Sequence, residues 1–189
     1  MTHPLELQRR NMIEYQQIDN QGNTLFKEDG TSKVPDYINN LFMEEYKEKI
    51  QAKQENNKKN LADAHGDMLI CIAGAIIEHK IPLEIFSKHF QEKPFEIDDV
   101  IIIHSVEKIL DRLQSAITFY EKAILLSNLW NGVVKEAKEQ NFNIEGIYNA
   151  IAENNLARID RDETGKPKTH PNGKIMRKDM HPDLKPFIL

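Results

Sequence analysis

The feature that most constrains the fold is a nearly uninterrupted apolar run at residues 68–77, which directly follows Asp67. The run lies in a predicted helix at 61–79 that is apolar on almost every side after its first turn. Such a helix is usually the central helix of a bundle. The run is about half as long as the ~20 residues that a bilayer span requires, so no membrane partner is expected.

Helices are predicted for nearly all of the remaining chain. Gly and Pro number only eight each and cluster between segments of helical periodicity, while short alternating runs are nearly absent, which favours an all-α fold. Asn60 is the expected N-cap of helix 61–79. The other predicted helices cover 4–17, 36–52, 83–90, 98–120, 121–140 and 144–156. Residues 160–189, rich in Gly and Pro, are expected to form an ordered loop laid on the bundle.

Composition narrows the class of protein. The chain has 30 acidic and 25 basic residues and a net charge of −5, and this mixture lacks the basic face expected of a nucleic-acid binder. The single cysteine, Cys71, excludes a disulfide framework, and the N-terminus has no signal-peptide core. We therefore expect a single cytoplasmic domain over residues 1–189 with no nucleic-acid partner.

Two acidic groups lie on consecutive predicted helices. Side chains four residues apart share a helix face, as in the pairs 44/48 and 63/67. Position 45 lies about 100° around the helix from position 44. The short connection at 53–60 makes the two helices antiparallel neighbours, and the two groups lie 57 − 48 = 9 and 67 − 57 = 10 residues from its midpoint. Five carboxylates are therefore expected at one level: Glu44, Glu45, Glu48, Asp63 and Asp67.

Carboxylates gathered at one level repel one another unless a cation lies between them. Mg²⁺ or Mn²⁺, which take oxygen ligands, fit this group best, and the chain shows neither an EF-hand loop for Ca²⁺ nor a Cys/His spacing for Zn²⁺. A simpler interpretation is open for each group alone. Glu44, Glu45 and Glu48 can form a solvated helix face. Asp63 can interact favourably with the helix dipole at the start of its helix.

At these residues the chain resembles the all-α nucleoside triphosphate pyrophosphohydrolase superfamily, the MazG-like and phosphoribosyl-ATP pyrophosphohydrolase-like group. The shared marks are EExxE on one helix and an acidic pair on the next helix, ending in Asp67 before the apolar run. Much of the group has Glu where this chain has Ala64. Further similar segments follow in order at 155–158, 165–167, 172–174 and 182–184. The resemblance covers about 35–86 and 144–185, leaving 87–143 as an insertion or a degenerate repeat.

The resemblance implies Mg²⁺-dependent hydrolysis of a nucleoside triphosphate, with a deoxynucleotide expected, to a monophosphate and pyrophosphate. It implies Glu44, Glu48 and Asp67 as metal ligands, with Asp63 as a further ligand or as a residue that supports the ligands. Glu45 is implied as the residue that activates water, a role that can exchange with Glu48. The substrate-binding residues that it implies are Asn155, Arg158, Lys166 and Lys174.

Several alternatives stay open at this level. The activity can be phosphoribosyl-ATP hydrolysis, or the chain can be a non-catalytic helical interaction module. The base and sugar of the substrate are not determined, and a homodimer or higher oligomer is expected from the resemblance. His65 is expected to face outward, with substrate contact as the alternative, and Trp130 is expected in the core, with stacking on a base as its alternative.

Overall fold

The computed structural model describes residues 2–96, 105–172 and 174–189. Within these ranges the chain forms seven α-helices and no β-strand, which confirms the all-α prediction. Shorter turns are a π-helical segment at Tyr37–Phe42 and 3₁₀ turns at Leu83–Ile85 and Lys185–Phe187. The helices are α1 Pro4–Glu14, α2 Met43–Gln54, α3 Lys58–Glu78, α4 Lys88–Glu92, α5 Val106–Ser115, α6 Phe119–Glu139 and α7 Ile144–Ala157.

Helix α3 is the central element, as its apolar run predicts. It packs against α1, α2, α6, α7 and the π-helical segment. Close approach on one side depends on Gly74, where a Cβ would collide with the Tyr37 ring. The largest fully buried side chains include Trp130 and Tyr148, and the Trp130 indole donates to the Pro94 carbonyl, which confirms Trp130 as a core residue.

Several predicted boundaries are wrong, and capping residues decide some of them. The predicted helix 83–90 is divided into a 3₁₀ turn and α4, which Ser87 caps. Asn57, not Asn60, caps α3 through a bond from the backbone N–H of residue 60. Helix α1 ends at Glu14, three residues early. The predicted helix 98–120 stops at residue 115, because Thr118 and Glu121 form a capping box that begins α6. The first part of that predicted helix, 98–104, lies outside the described residues.

The segment after α7 is ordered, as predicted, and repeats the segment after α1. Each consists of two consecutive hairpins, which we name the N-terminal hairpins (17–33) and the tail hairpins (159–178). Their antiparallel bridges are related by a constant offset, 161 − 18 = 143 and 169 − 26 = 143, and so are the glycines at their first turns. The bridges are Ile18–Thr24 and Phe26–Ser32 in one copy, and Arg161–Pro167 and Thr169–Ile175 in the other.

Candidate active site

Helices α2 and α3 form an antiparallel hairpin that carries the five predicted acids, here named the acidic cluster. Their extensive packing follows from the tight turn at 55–57, where Asn56 adopts a positive φ of 54°. Glu44 and Glu48 are exposed, whereas Glu45, Asp63 and Asp67 are half-buried. The acids therefore lie along one open edge of the hairpin and not inside the core.

The carboxylates of the acidic cluster act on one another. Burial raises the pKa of Asp67 well above its ordinary value, and repulsion from Glu45, Asp63 and Glu48 raises it further. Burial, followed by repulsion from Glu48, Asp63 and Glu44, raises the pKa of Glu45 to about 7. The pKa of Asp63 is also raised, chiefly by burial. The structure thus brings both sequence-predicted acidic groups into one electrostatic unit.

None of these five carboxylates accepts a hydrogen bond or forms an ion pair with any residue in the described ranges. Glu136 on α6 shows the contrast, because its carboxylate lies 2.6 Å from the Lys49 ammonium. The nearby His65 imidazole and the hydrogen-bonded Lys49 ammonium lower the pKa of Glu136 to about 2. Within the described residues the acidic cluster therefore lacks the close hydrogen bonds and ion pairs that stabilise carboxylates such as Glu136.

The donor set fits a hard divalent cation, since it consists of carboxylate oxygens alone. As placed, however, no three His, Cys, Asp or Glu side chains among the described residues are grouped so that they could hold a metal ion. The ligand types agree with the prediction, whereas a ligand geometry is not assembled.

Arg158, the C-cap of α7, is the predicted substrate-binding residue that reaches the acidic cluster. Its charge lowers the pKa of both Asp63 and Asp67, opposing the effect of burial. Its buried Nε atom has no hydrogen-bond partner in the described part of the chain. Asn155 lies three residues earlier, on the same helix face. The structure therefore brings the Arg158 guanidinium near the acids, whereas contact of the Asn155 amide with a substrate stays a prediction.

Lys166 and Lys174 lie in the turns of the tail hairpins, and their side chains are exposed. The backbone N–H groups of both lysines donate to side chains of their own turns, Asp162 and Asn172 respectively. Within the described residues neither lysine forms a hydrogen bond or an ion pair with the acidic cluster. Their contact with a substrate stays a prediction.

Two basic residues near Asp63 were not predicted. Lys59 and His181 both lower the pKa of Asp63. Lys59 precedes Asp63 by four residues on α3, a spacing that places the two side chains on one face and gives a usable sequence signal. His181 comes from the tail, 118 residues away (181 − 63), and no local pattern indicates it.

His65 corrects another expectation, because it is buried, with an exposure of 2%. Its Nδ1 atom lies 2.6 Å from the Leu61 carbonyl oxygen, and its Nε2 atom lies 3.7 Å from a Glu136 carboxylate oxygen. Two residues along a helix turn a side chain by about 200°, so His65 points away from Asp63 and Asp67 towards α6. The outward-facing prediction is wrong, and the histidine belongs to the packing of α3 on α6.

Comparison with known families gives one match, over residues 15–94, to the family phosphoribosyl-ATP pyrophosphohydrolase. That family is a member of the MazG-like all-α nucleoside triphosphate pyrophosphohydrolase superfamily. The matched segment, 80 of the 189 residues (94 − 15 + 1), is similar to this superfamily. No curated protein and no solved structure gives a significant match to the chain.

The match confirms the resemblance on which the site prediction depends, and it supports a pyrophosphohydrolase, a hydrolase acting on phosphorus anhydrides of nucleotides. All five residues of the acidic cluster lie inside the matched segment, whereas Asn155, Arg158, Lys166 and Lys174 lie outside it. Among the described helices, α3 is the one long and apolar enough to cross a membrane, but most of it is buried inside the protein, so a membrane location is not indicated.

Proposed function

We propose that the protein hydrolyses a nucleoside triphosphate between the α- and β-phosphates, yielding a nucleoside monophosphate and pyrophosphate. The observation that carries this proposal is the acidic cluster, whose carboxylates form no hydrogen bond or ion pair with the described residues and lie near Arg158, whose buried Nε has no hydrogen-bond partner among those residues. A divalent cation would neutralise the carboxylates, and the phosphate chain of a nucleotide would bind both that cation and the Arg158 guanidinium.

In this proposal Glu44, Glu48, Asp63 and Asp67 hold Mg²⁺, with Mn²⁺ as a substitute. When bound, the ion neutralises phosphate charge and lowers the pKa of water. Glu45, half-buried between the other acids, accepts a proton from the attacking water through its carboxylate, a role that Glu48 can exchange with it.

The substrate is held from the other side. The Arg158 guanidinium contacts the phosphates and the Asn155 amide hydrogen-bonds the nucleotide, while Lys166 and Lys174 add positive charge from the tail hairpins. This division of roles follows the chemistry of phosphoryl transfer, in which positioning and charge neutralisation contribute more than covalent catalysis.

The test is a panel of ribo- and deoxynucleoside triphosphates, assayed with Mg²⁺ for pyrophosphate and orthophosphate separately. We expect pyrophosphate as the primary product and at least a ~100-fold loss of kcat in Asp67→Asn and Glu48→Gln, in line with loss of a metal ligand. Glu153→Gln, an exposed position on α7, is the matched control and should retain activity. Orthophosphate as the primary product would overturn the bond assignment.

Binding of the ion has its own measurement. A ligand at 100 times its Kd stabilises the folded state by about 2.7 kcal/mol, which corresponds to a Tm increase of about 5–11 °C for a chain of this size. Wild type should show this increase with Mg²⁺ and Asp67→Asn should not. An unchanged wild-type Tm over millimolar Mg²⁺, with no pyrophosphate released, would favour a non-catalytic helical module.

Phosphoribosyl-ATP is the second candidate substrate, favoured by the description of the matched family. It contains the same α–β anhydride, so the acidic cluster would act on it in the same way. Including it in the panel decides between the two, because the preferred substrate is the one with the larger kcat/KM.

The predicted assembly and location belong to this proposal as well. A homodimer or higher oligomer agrees with the exposed apolar side chains around the start of α6, namely Ile117, Phe119, Tyr120 and Ile124. Sedimentation equilibrium of wild type and Ile117→Ser measures it, and a monomer at micromolar concentration contradicts it. We also propose a cytoplasmic location.

A further inference from the structure

The C-terminal ends of α1 and α7 are joined by one tyrosine. The Tyr15 hydroxyl donates a 2.7 Å hydrogen bond to the Asn155 carbonyl. The guanidinium carbon of Arg177 lies 4.8 Å from the centroid of the Tyr15 ring, a cation–π contact. Tyr15 therefore contacts both the last turn of α7 and the end of the tail hairpins.

The residue before it makes a second connection to the same segment. The Arg161 guanidinium lies 2.7 Å from the Glu14 carboxylate, and both side chains are about one-third exposed. Arg161 also donates to the Gly165 carbonyl of its own hairpin. Two consecutive residues at the end of α1 thus hold three points of the segment that begins at Asn155.

That segment carries the cation of the candidate site. Arg158 follows Asn155 by three residues and acts on Asp63 and Asp67. Helix α7 packs on α3, which carries Asp63 and Asp67, and on α1. The position of the Arg158 side chain relative to these acids therefore depends on the position of the end of α7. The hydrogen bond from Tyr15 fixes the backbone one turn before Arg158.

The repeat described above supports this pairing. At the constant offset of 143, Tyr15 corresponds to Arg158, and both are C-caps of the helices that precede their hairpins. Tyr15, at this position of the first copy, contacts Asn155 and Arg177 of the second copy. The C-cap after α1 is thus an aromatic residue that contacts the second copy, and the C-cap after α7 is the arginine that lies near the acids.

We infer that Tyr15 is a positioning residue, which holds Arg158 over the acidic cluster so that its guanidinium can bind the substrate phosphates. This inference rests on the proposed function. Tyr15 touches neither the acids nor the substrate, and it acts through the Asn155 carbonyl and the docked tail.

The experiment combines Tyr15→Phe, which removes only the hydroxyl, with Arg158→Gln. Because a hydrogen bond contributes about 0.5–1.5 kcal/mol, we expect a rise of about threefold to tenfold in KM for the nucleotide in Tyr15→Phe. The value of kcat should stay within about twofold, and the Mg²⁺-dependent Tm increase should be unchanged. The effect of Arg158→Gln on KM should be smaller in the Tyr15→Phe background than in wild type, as expected for coupled residues.

Tyr120→Phe, on the exposed start of α6, is the matched control and should leave KM unchanged. An unchanged KM in Tyr15→Phe, or additive effects of the two substitutions, would overturn the inference and leave Tyr15 a merely structural residue. If wild type hydrolyses no nucleotide, the proposed function fails. Amide hydrogen exchange over 155–178 still tests the positioning role then, because Tyr15→Phe should increase exchange there and Tyr120→Phe should not.

Discussion

Glu78, the last residue of α3, gives a sharp prediction for the stability of the fold. It is half-buried, and its carboxylate accepts no hydrogen bond from the described residues. Burial and repulsion from Asp36 raise its pKa from 4.5 to about 7, with Lys122 opposing the increase. A negative charge at the C-terminal end of a helix is also unfavourable to the helix dipole. The ionised form of Glu78 should therefore destabilise the folded state.

The sign and size of the effect follow from this pKa. Below pH 4.5 the carboxyl is protonated in both the folded and the unfolded chain, so it contributes no pH dependence. As the pH rises to 7 the unfolded chain ionises first and the free energy of unfolding falls. The raised pKa corresponds to about 3.4 kcal/mol, which solvent screening at a half-buried position reduces to about 1–2 kcal/mol.

We expect Glu78→Gln to stabilise the protein by about 1–2 kcal/mol at pH 8, or about 2–8 °C in Tm, and to change little at pH 4. Urea unfolding at both pH values measures this, with Glu153→Gln as the exposed control. Activity should not change, because Glu78 lies 78 − 67 = 11 residues beyond Asp67, about 16 Å along the helix. Destabilisation at pH 8, or an equal effect at both pH values, would refute the electrostatic reasoning.

Two further predictions concern packing and pairing. Gly74→Ala should lower the free energy of unfolding by about 1–3 kcal/mol, because the added Cβ overpacks against the Tyr37 ring. Gly132→Ala should raise it by about 0.5–1 kcal/mol, because the added Cβ meets nothing within 4 Å. Calorimetry of both variants measures the difference, and equal effects contradict the prediction. Glu136→Gln should cost about 1–2 kcal/mol at pH 7 by leaving the buried Lys49 ammonium unpaired. Since the pKa of Glu136 is lowered to about 2, this difference should be lost as the pH falls from 4.5 towards 2 in urea unfolding, and a difference that persists at pH 2 contradicts the assignment.

The parts of the site that sequence could predict are those that helix geometry fixes locally. The four-residue spacings of Glu44/Glu48 and Asp63/Asp67, together with a short turn, suffice to place both acid pairs on one edge of a hairpin. The structure brings Glu45, Asp63 and Asp67 into mutual electrostatic contact as expected. The roles assigned to these residues stay predictions until activity and metal binding are measured.

Helix ends were harder to predict, because two neighbouring residues can both be suitable caps. Buried polar residues were harder to predict, because their surroundings come from distant parts of the chain. Asn57 and Asn60 are both suitable caps, and only the turn geometry selects Asn57. His65 is polar and lies between two acids, yet it is buried, with its Nε2 atom 3.7 Å from the carboxylate of Glu136 on α6, 71 residues away (136 − 65). No pattern within α3 contains that information.

By itself the sequence determined a helical bundle around α3 and an acidic hairpin, since both depend on periodicity and on turns of a few residues. The tertiary structure alone decided that Arg158 and His181, from the C-terminal part of the chain, lie near Asp63. The Tyr15 hydroxyl donates to the Asn155 carbonyl, 140 residues away along the chain and one turn before Arg158. A contact between such distant residues is specified by the packing of whole helices, which no local pattern encodes.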